Sequence, residues 1–413
     1  MSSIGKGVAA ASMGKILQAR GYKVANIKCD MYVNIDAGTI RPAEHGEVFV
    51  GEDGIEADQD LGNYERFTNQ ICTRDNYLTT GQIYAEVIRR ERNLEYNGED
   101  VEVVPDIPNE IIRRIYVCQK KNNADITIVE LGGTVGEYQV LLFLEAARMM
   151  KAQTPQDVFT ILVSYLPTPP LLGEQKSKPT QYAIRTLNSA GIMPDFILCR
   201  ASLPVSDAIK TTISTICSLP RERIISAPDV ESIYDIPVNF EKEHFGEVVL
   251  KSMGLGVRKN NMADWEALHQ NMQQMKERVT IGIVGKYFNL KSCRDTYISV
   301  IESIKHAAWH HNVKPDIKWL DSEVYETHPE KLKELEGMHG IIMPGGFGKR
   351  GIEGMIAAAG FAREQKIPYF GLCLGMQIAV IECARHLAGL KKANSEEFDT
   401  TSPDQVIHLM QSQ

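Results

Sequence analysis

Short β-branched runs separated by longer helical patterns constrain this chain more than any other feature. Residues 23–28, 125–130, 158–165 and 196–199 read as buried strands, and 180–190 reads as a helix stopped by Gly191, the usual residue just past a helix end. Strands that alternate with helices imply βαβ units, so the expected class is α/β, a mostly parallel sheet with helices on both faces. The alternation pauses over 252–278, where a polar stretch with one Trp predicts a linker helix at 262–278. It then restarts, with strands expected at 279–284, 316–320, 340–343 and 369–372. The layout expected is a domain over 1–254, a linker over 255–278 and a second domain over 279–413. Residues 400–413 carry little pattern.

Charge and cysteine usage narrow the function classes. The formal net charge is −8, so no global basic field recruits nucleic acid or an anionic membrane. Polyanionic substrates would therefore need local positive charge. The cysteines are spread without a CxxC pair, which suits a reducing cytoplasm and not a disulfide scaffold. The most apolar long stretch, 367–384, is broken by Pro368, Gly371, Gly375 and Glu382, so no membrane span is expected. The first seven residues hold no apolar signal core.

Several motifs carry chemistry. Ser2-Ser3-Ile4-Gly5-Lys6-Gly7, ahead of an Ala-rich helix expected from Val8 to Ala19, suits a phosphate: backbone amides and the helix N-terminus attract the anion and Lys6 adds a charge. The full Walker pattern is absent, so a plain loop is the competing reading. The acidic run from Gly51 to Asp60 is either a solvated loop or a source of an oxygen ligand for Mg²⁺. Glu130 closes a strand ahead of Gly132-Gly133-Thr134-Val135-Gly136, where ligands of open α/β sheets bind. Lys176-Ser177-Lys178-Pro179-Thr180-Gln181 sets two cations before a helix, as a phosphate site or a basic turn. The sharpest motif is Gly371-Leu372-Cys373-Leu374-Gly375, a nucleophile elbow with Cys as nucleophile. A helix N-terminus beneath the sulfur lowers the thiol pKa. Pro344-Gly345-Gly346-Phe347-Gly348 offers amides to a developing oxyanion.

Together these residues resemble the CTP synthase family over nearly the whole chain. His45–Val50, Asp60–Phe67, Gly132–Gly136 and Lys176–Gln181 resemble its synthetase domain. Pro344–Gly351 and Gly371–Gln377 resemble its class I glutamine amidotransferase domain. The resemblance implies a P-loop-like doubly wound domain followed by an incomplete amidotransferase α/β domain. It implies ATP-dependent amination of UTP to CTP through a 4-phosphorylated intermediate, with ammonia from glutamine passing through an internal tunnel. GTP is the implied activator, CTP the feedback inhibitor and a homotetramer the implied assembly. By the same resemblance Ser3, Ile4, Gly5, Lys6, Gly7, Val8, Asp60 and Val230 serve ATP, and Asp60 with Glu130 holds Mg²⁺. Ser2, Glu137, Tyr138, Gln139, Lys176, Ser177, Lys178, Pro179, Thr180, Gln181 and Thr212 serve UTP or CTP. Gly346, Leu374, Gly375, Met376, Gln377 and Glu397 hold glutamine, and Cys373 and Lys6 are the catalytic groups.

The chain departs from the family at places. Glu137-Tyr138-Gln139 stands where the family has Asp-Ile-Glu; Thr212 stands for a Lys, Asp106 for a His, Pro228 for a Lys and Met31 for a Pro. The family's first strand and its later His-Pro-Glu run do not occur in these 413 residues. A truncation at both ends is therefore expected, with poor glutamine hydrolysis, since His386 and His408 are stand-ins only in name. Two other readings remain: a shortened non-catalytic paralogue that assembles with or regulates an active synthase, and a different P-loop amidoligase.

Overall fold

The computed structural model describes residues 4–41, 46–169, 173–286 and 294–410. Ser2 and Ser3, expected at the nucleotides, and His45 of the family-like runs lie outside the described residues. By contacts the chain divides into two compact units, Met1–Thr39 with Val48–His269, and Ile40–Glu47 with Gln270–Gln413.

In the first unit, strand β1 (Val24–Asp30) is buried at all seven positions. Burial on both faces is what a central strand of a parallel sheet requires. A two-stranded antiparallel ribbon follows, β2 (Phe49–Val50) with β3 (Glu56–Ala57). β1 pairs in parallel with β4 (Tyr77–Thr79) and β5 (Ile126–Leu131). A second parallel sheet orders β6 (Ile161–Tyr165), β7 (Phe196–Ala201) and β8 (Ile224–Pro228). Ile27, Leu78, Ile83, Ile111 and Phe143 fill one core, and Leu162, Ile184, Leu187, Ile197 and Ile213 fill another. Helix Lys6–Ala19 buries Ala9, Ala10, Ala11, Ile16 and Leu17; its small residues let it lie close to the strands. It starts two residues earlier than Val8, because Gly5 takes the left-handed turn and Lys6 is already helical.

In the second unit one parallel sheet runs β10-β9-β11-β12, with β9 at Arg278–Gly285, β10 at Lys314–Asp321, β11 at Gly340–Met343 and β12 at Tyr369–Gly371. Its core includes Val284, Leu320, Ile341, Met343, Ile378 and Ile381.

Two expectations are corrected. The helix expected over 262–278 spans Ala263–Gln274, since Arg278 opens β9 and pairs with Lys314. Residues 400–413 do contain structure: β14 (Gln405–Ile407) pairs in parallel with β13 (Asn394–Ser395), and Val406 and Ile407 pack on the core. The two short strands were hard to read because only two apolar side chains mark β14. Among the described residues no helix is long and apolar enough to cross a membrane.

Candidate active site

At the start of helix Lys6–Ala19, Gly5 sits at φ +85° as the N-cap residue, a left-handed turn that glycine adopts without a Cβ penalty. The Lys6 ammonium donates to the Gly133 carbonyl at 3.1 Å. Burial pulls the Lys6 pKa down, while Glu130 and Asp60 push the other way. A Cβ on Gly7 would overlap the Asp60 carboxylate, so the helix start and Asp60 touch only because residue 7 is glycine. A cavity of about 220 Å³ opens here, lined among others by Gly5, Val8, Arg200, Val230, Asn239 and Phe240. Gly5, Val8 and Val230, all expected at ATP, share its wall. Sequence reasoning missed Arg200, whose guanidinium donates to the carbonyls of Ala227 (2.9 Å) and Pro228 (3.0 Å) and to Asp229 (2.7 Å).

Beside Lys6 lies a group that sequence reasoning also missed. The Lys28 ammonium, near the carboxyl end of β1, contacts Asp60, Glu130 (3.2 Å), Asp58 (3.6 Å) and Asp30 (3.9 Å). A buried lysine survives only when paired. Here burial works against the charge, but the carboxylates outweigh it and hold Lys28 well above its ordinary pKa. Burial pushes Asp58 up to about 8 and Glu130 upward. Asp60, although burial raises it, is held below the usual range by Lys28 and by hydrogen bonds from Lys28 and Asn63. Among the described residues no group of three or more His, Cys, Asp or Glu side chains is arranged to hold a metal. Asp60 and Glu130 are nonetheless hard oxygen donors that meet at one cation, here an ammonium. Mg²⁺ needs only one or two carboxylates when phosphates supply the rest, so the donor set fits it.

The residues expected at the pyrimidine nucleotide are partly gathered. Lys178 and Pro179 open helix Lys178–Ser189, Gln181 donates to the Ser177 hydroxyl at 3.0 Å, and Lys176 is paired with Glu174 at 3.0 Å. Thr180 is buried, and its hydroxyl is within 2.9 Å of the Ser164 hydroxyl. Its side chain therefore braces the helix against β6. Glu137 accepts from the Thr134 amide at 3.1 Å; Tyr138 and Gln139 are exposed. Thr212 bonds back to the Ala208 carbonyl at 2.9 Å.

In the second unit, Cys373 takes φ 50°, ψ −107° between β12 and helix Leu374–His386, and it is exposed. A non-glycine residue held there is strained, as a nucleophile elbow demands. Both flanking glycines are sterically required. A Cβ on Gly371 would strike the backbone of Gly375 and Met376, and one on Gly375 would strike the Met343 carbonyl. A Cβ on Gly345 would lie 3.5 Å from the Cys373 Cβ, which puts the glycine loop against Cys373. Lys286 fastens that loop by donating to the carbonyls of Phe347 (3.5 Å) and Gly348, and burial pulls its pKa down to about 8. Glu397 accepts the Gly348 amide at 3.0 Å. Leu374 is buried, whereas Met376 is exposed. His386 lies at the far end of its helix, roughly 20 Å along the axis from Cys373. Its Nδ1 is 3.1 Å from Glu382, and His408 lies 4.0 Å from Glu396.

A phosphate-loop α/β unit followed in one chain by a cysteine-elbow α/β unit defines a class: ligases that draw nitrogen from glutamine. Comparison with known proteins agrees. Residues 1–255 match the family described as CTP synthase N-terminus, and 292–408 match class I glutamine amidotransferase. CTP synthase of Carboxydothermus hydrogenoformans is 46% identical over 414 residues, covering 100% of this chain and 77% of the relative. CTP synthase of Pyrococcus furiosus is 46% identical, covering 100% and 76%. A solved structure described as Trypanosoma brucei CTPS, glutaminase domain with bound acivicin, is 46% identical over 32% of this chain and 51% of that one, with a TM-score of 0.31. The chain belongs to the CTP synthase family.

Proposed function

We propose that this chain converts UTP to CTP with ATP and ammonia. The γ-phosphoryl group of ATP passes to uracil O4. Ammonia then attacks C4, and the C4–O bond breaks with its electron pair leaving on phosphate. The observation that carries the reading is Lys6, at the N-terminus of a helix whose Gly5 and Val8 line a cavity, and beside the Asp60–Glu130 pair. Backbone amides and Lys6 attract triphosphate oxygens, and charge developing in phosphoryl transfer is met by groups already in place. Asp60 and Glu130 are the residues that would hold Mg²⁺, which supplies charge neutralisation to the phosphates. Lys176 and Lys178 meet the second triphosphate, and Arg200 orders the wall of the cavity.

In the second unit the Cys373 thiolate attacks the glutamine carboxamide, the C–N bond breaks as its nitrogen takes a proton from water and leaves as ammonia, and water then hydrolyses the glutamyl thioester to glutamate and the free thiol. Family membership further supports GTP as activator, CTP as competitor of UTP, a homotetramer and a cytoplasmic location. The test is CTP formation from UTP, ATP and Mg²⁺, driven first by ammonium and then by glutamine. The expected result is CTP with ammonium whether or not the Cys373 thiol is free, and CTP with glutamine only when it is. No CTP under either condition would favour a non-catalytic paralogue.

A further inference from the structure

Lys28 is wholly buried, yet its ammonium meets carboxylates from three separate segments. It faces Glu130 directly across the β1–β5 ladder, where Lys28 and Glu130 are register partners. Each of the two carboxylates assigned to Mg²⁺ has one oxygen locked by a neutral donor. Asn63 donates to one oxygen of Asp60 at 3.1 Å, and the Tyr64 hydroxyl donates to one oxygen of Glu130. The other oxygen of each accepts from Lys28, at 3.2 Å for Glu130. The free lone pairs of both carboxylates therefore already converge on a cation, and that cation belongs to the protein. A divalent ion cannot enter the same gap beside an ammonium without strong Coulomb repulsion at low effective dielectric.

We infer that Lys28 is a built-in counter-ion that Mg²⁺ must displace, a positioning residue that keeps Asp60 and Glu130 aimed for the metal. The inference rests on the assignment of those two carboxylates to Mg²⁺. It makes metal binding to the nucleotide-free protein weak, since every incoming ion first expels an internal charge. Without Lys28 the carboxylates repel one another and the same ion is drawn in.

The experiment titrates Mn²⁺ into the nucleotide-free full chain, read by electron paramagnetic resonance, for the unsubstituted protein, Lys28→Met and Lys28→Gln. Both variants are expected to bind Mn²⁺ at least ten-fold more tightly. Their thermal midpoints should fall below that of the unsubstituted protein in EDTA and recover in millimolar Mg²⁺. Adding Asp60→Asn to Lys28→Gln should remove the tight binding. Equal or weaker Mn²⁺ affinity in both variants overturns the inference and leaves the metal assignment standing. Failure of every protein to bind Mn²⁺, even with a non-hydrolysable ATP analogue, sinks the metal assignment and the inference together. If both variants stay unfolded with and without Mg²⁺, Lys28 is scaffolding that no ion replaces, and the inference is likewise overturned.

Discussion

The two chemical centres share one topological position and are built by opposite means. Both lie at carboxyl ends of parallel strands, where open α/β sheets bind ligands. At β1 and β5 the chain buries one ammonium among carboxylates, so the geometry is set by charge that must be balanced. At β12 the geometry is set by exclusion: two glycines with no room for a Cβ force an exposed cysteine into a strained backbone. The difference fits the proposed tasks. A site that handles several anions must match charge and tolerate exchange of cations, whereas a covalent nucleophile needs one uncovered atom held rigidly. The first centre should thus be sensitive to ions and charge removal, the second to added volume.

The largest expected effect separates the centres outright. Cys373→Ala should abolish labelling by a glutamine-mimicking electrophile, seen by mass spectrometry, and leave ammonium-driven CTP synthesis intact. Loss of both activities would break the independence drawn here. Lys6→Ala should cut ammonium-driven synthesis by on the order of 10²–10³-fold, the usual cost of removing one preorganised charge-stabilising group, with Cys373 labelling unchanged. Gly375→Ala tests exclusion. The added methyl meets the Met343 carbonyl, so calorimetry should show the second unit destabilised by about 1–3 kcal/mol or more while the first melts as before.

The smallest effect concerns Lys286. Its folded pKa of about 8 lies below the 10.5 of an ordinary lysine, so between those limits the unfolded chain binds more protons and stability rises with pH. Below pH about 8 the full penalty of charging the buried amine is present. Thermal midpoints of the second unit should therefore climb from pH 8 to 10, and Lys286→Met should flatten the slope. An unchanged slope would show that the amine titrates as if exposed.

Much of this was legible in the residues. The strands at 126–131 and 340–343 announce themselves by β-branched residues, that at 196–201 by its apolar start, and the Cys373 elbow by two glycines at fixed spacing. Lys28 was not legible, because a lysine inside an apolar run looks like an interruption until two distant segments deliver their acids to it. Arg200 was missed for the same reason: its carbonyl partners come from the neighbouring strand. The burial of Thr180 was not legible either: the helical period turns its hydroxyl inward onto Ser164. Spacing along a chain reports local geometry; it does not report which face of a helix the rest of the fold will cover.

The stretch after Ser252, which reads as a tether, is stitched to the far end of the phosphate-loop helix. Tyr22 donates to the Gly256 carbonyl, Arg258 to the Gly21 carbonyl, the Asn261 amide to the Ala19 carbonyl, and Trp265 to the Tyr234 carbonyl. A recombinant fragment cut at residue 254 would strip these donors and acceptors from the helix that presents Lys6. A fragment carried through His269, whose ring meets Asp235 at 2.7 Å, would keep them.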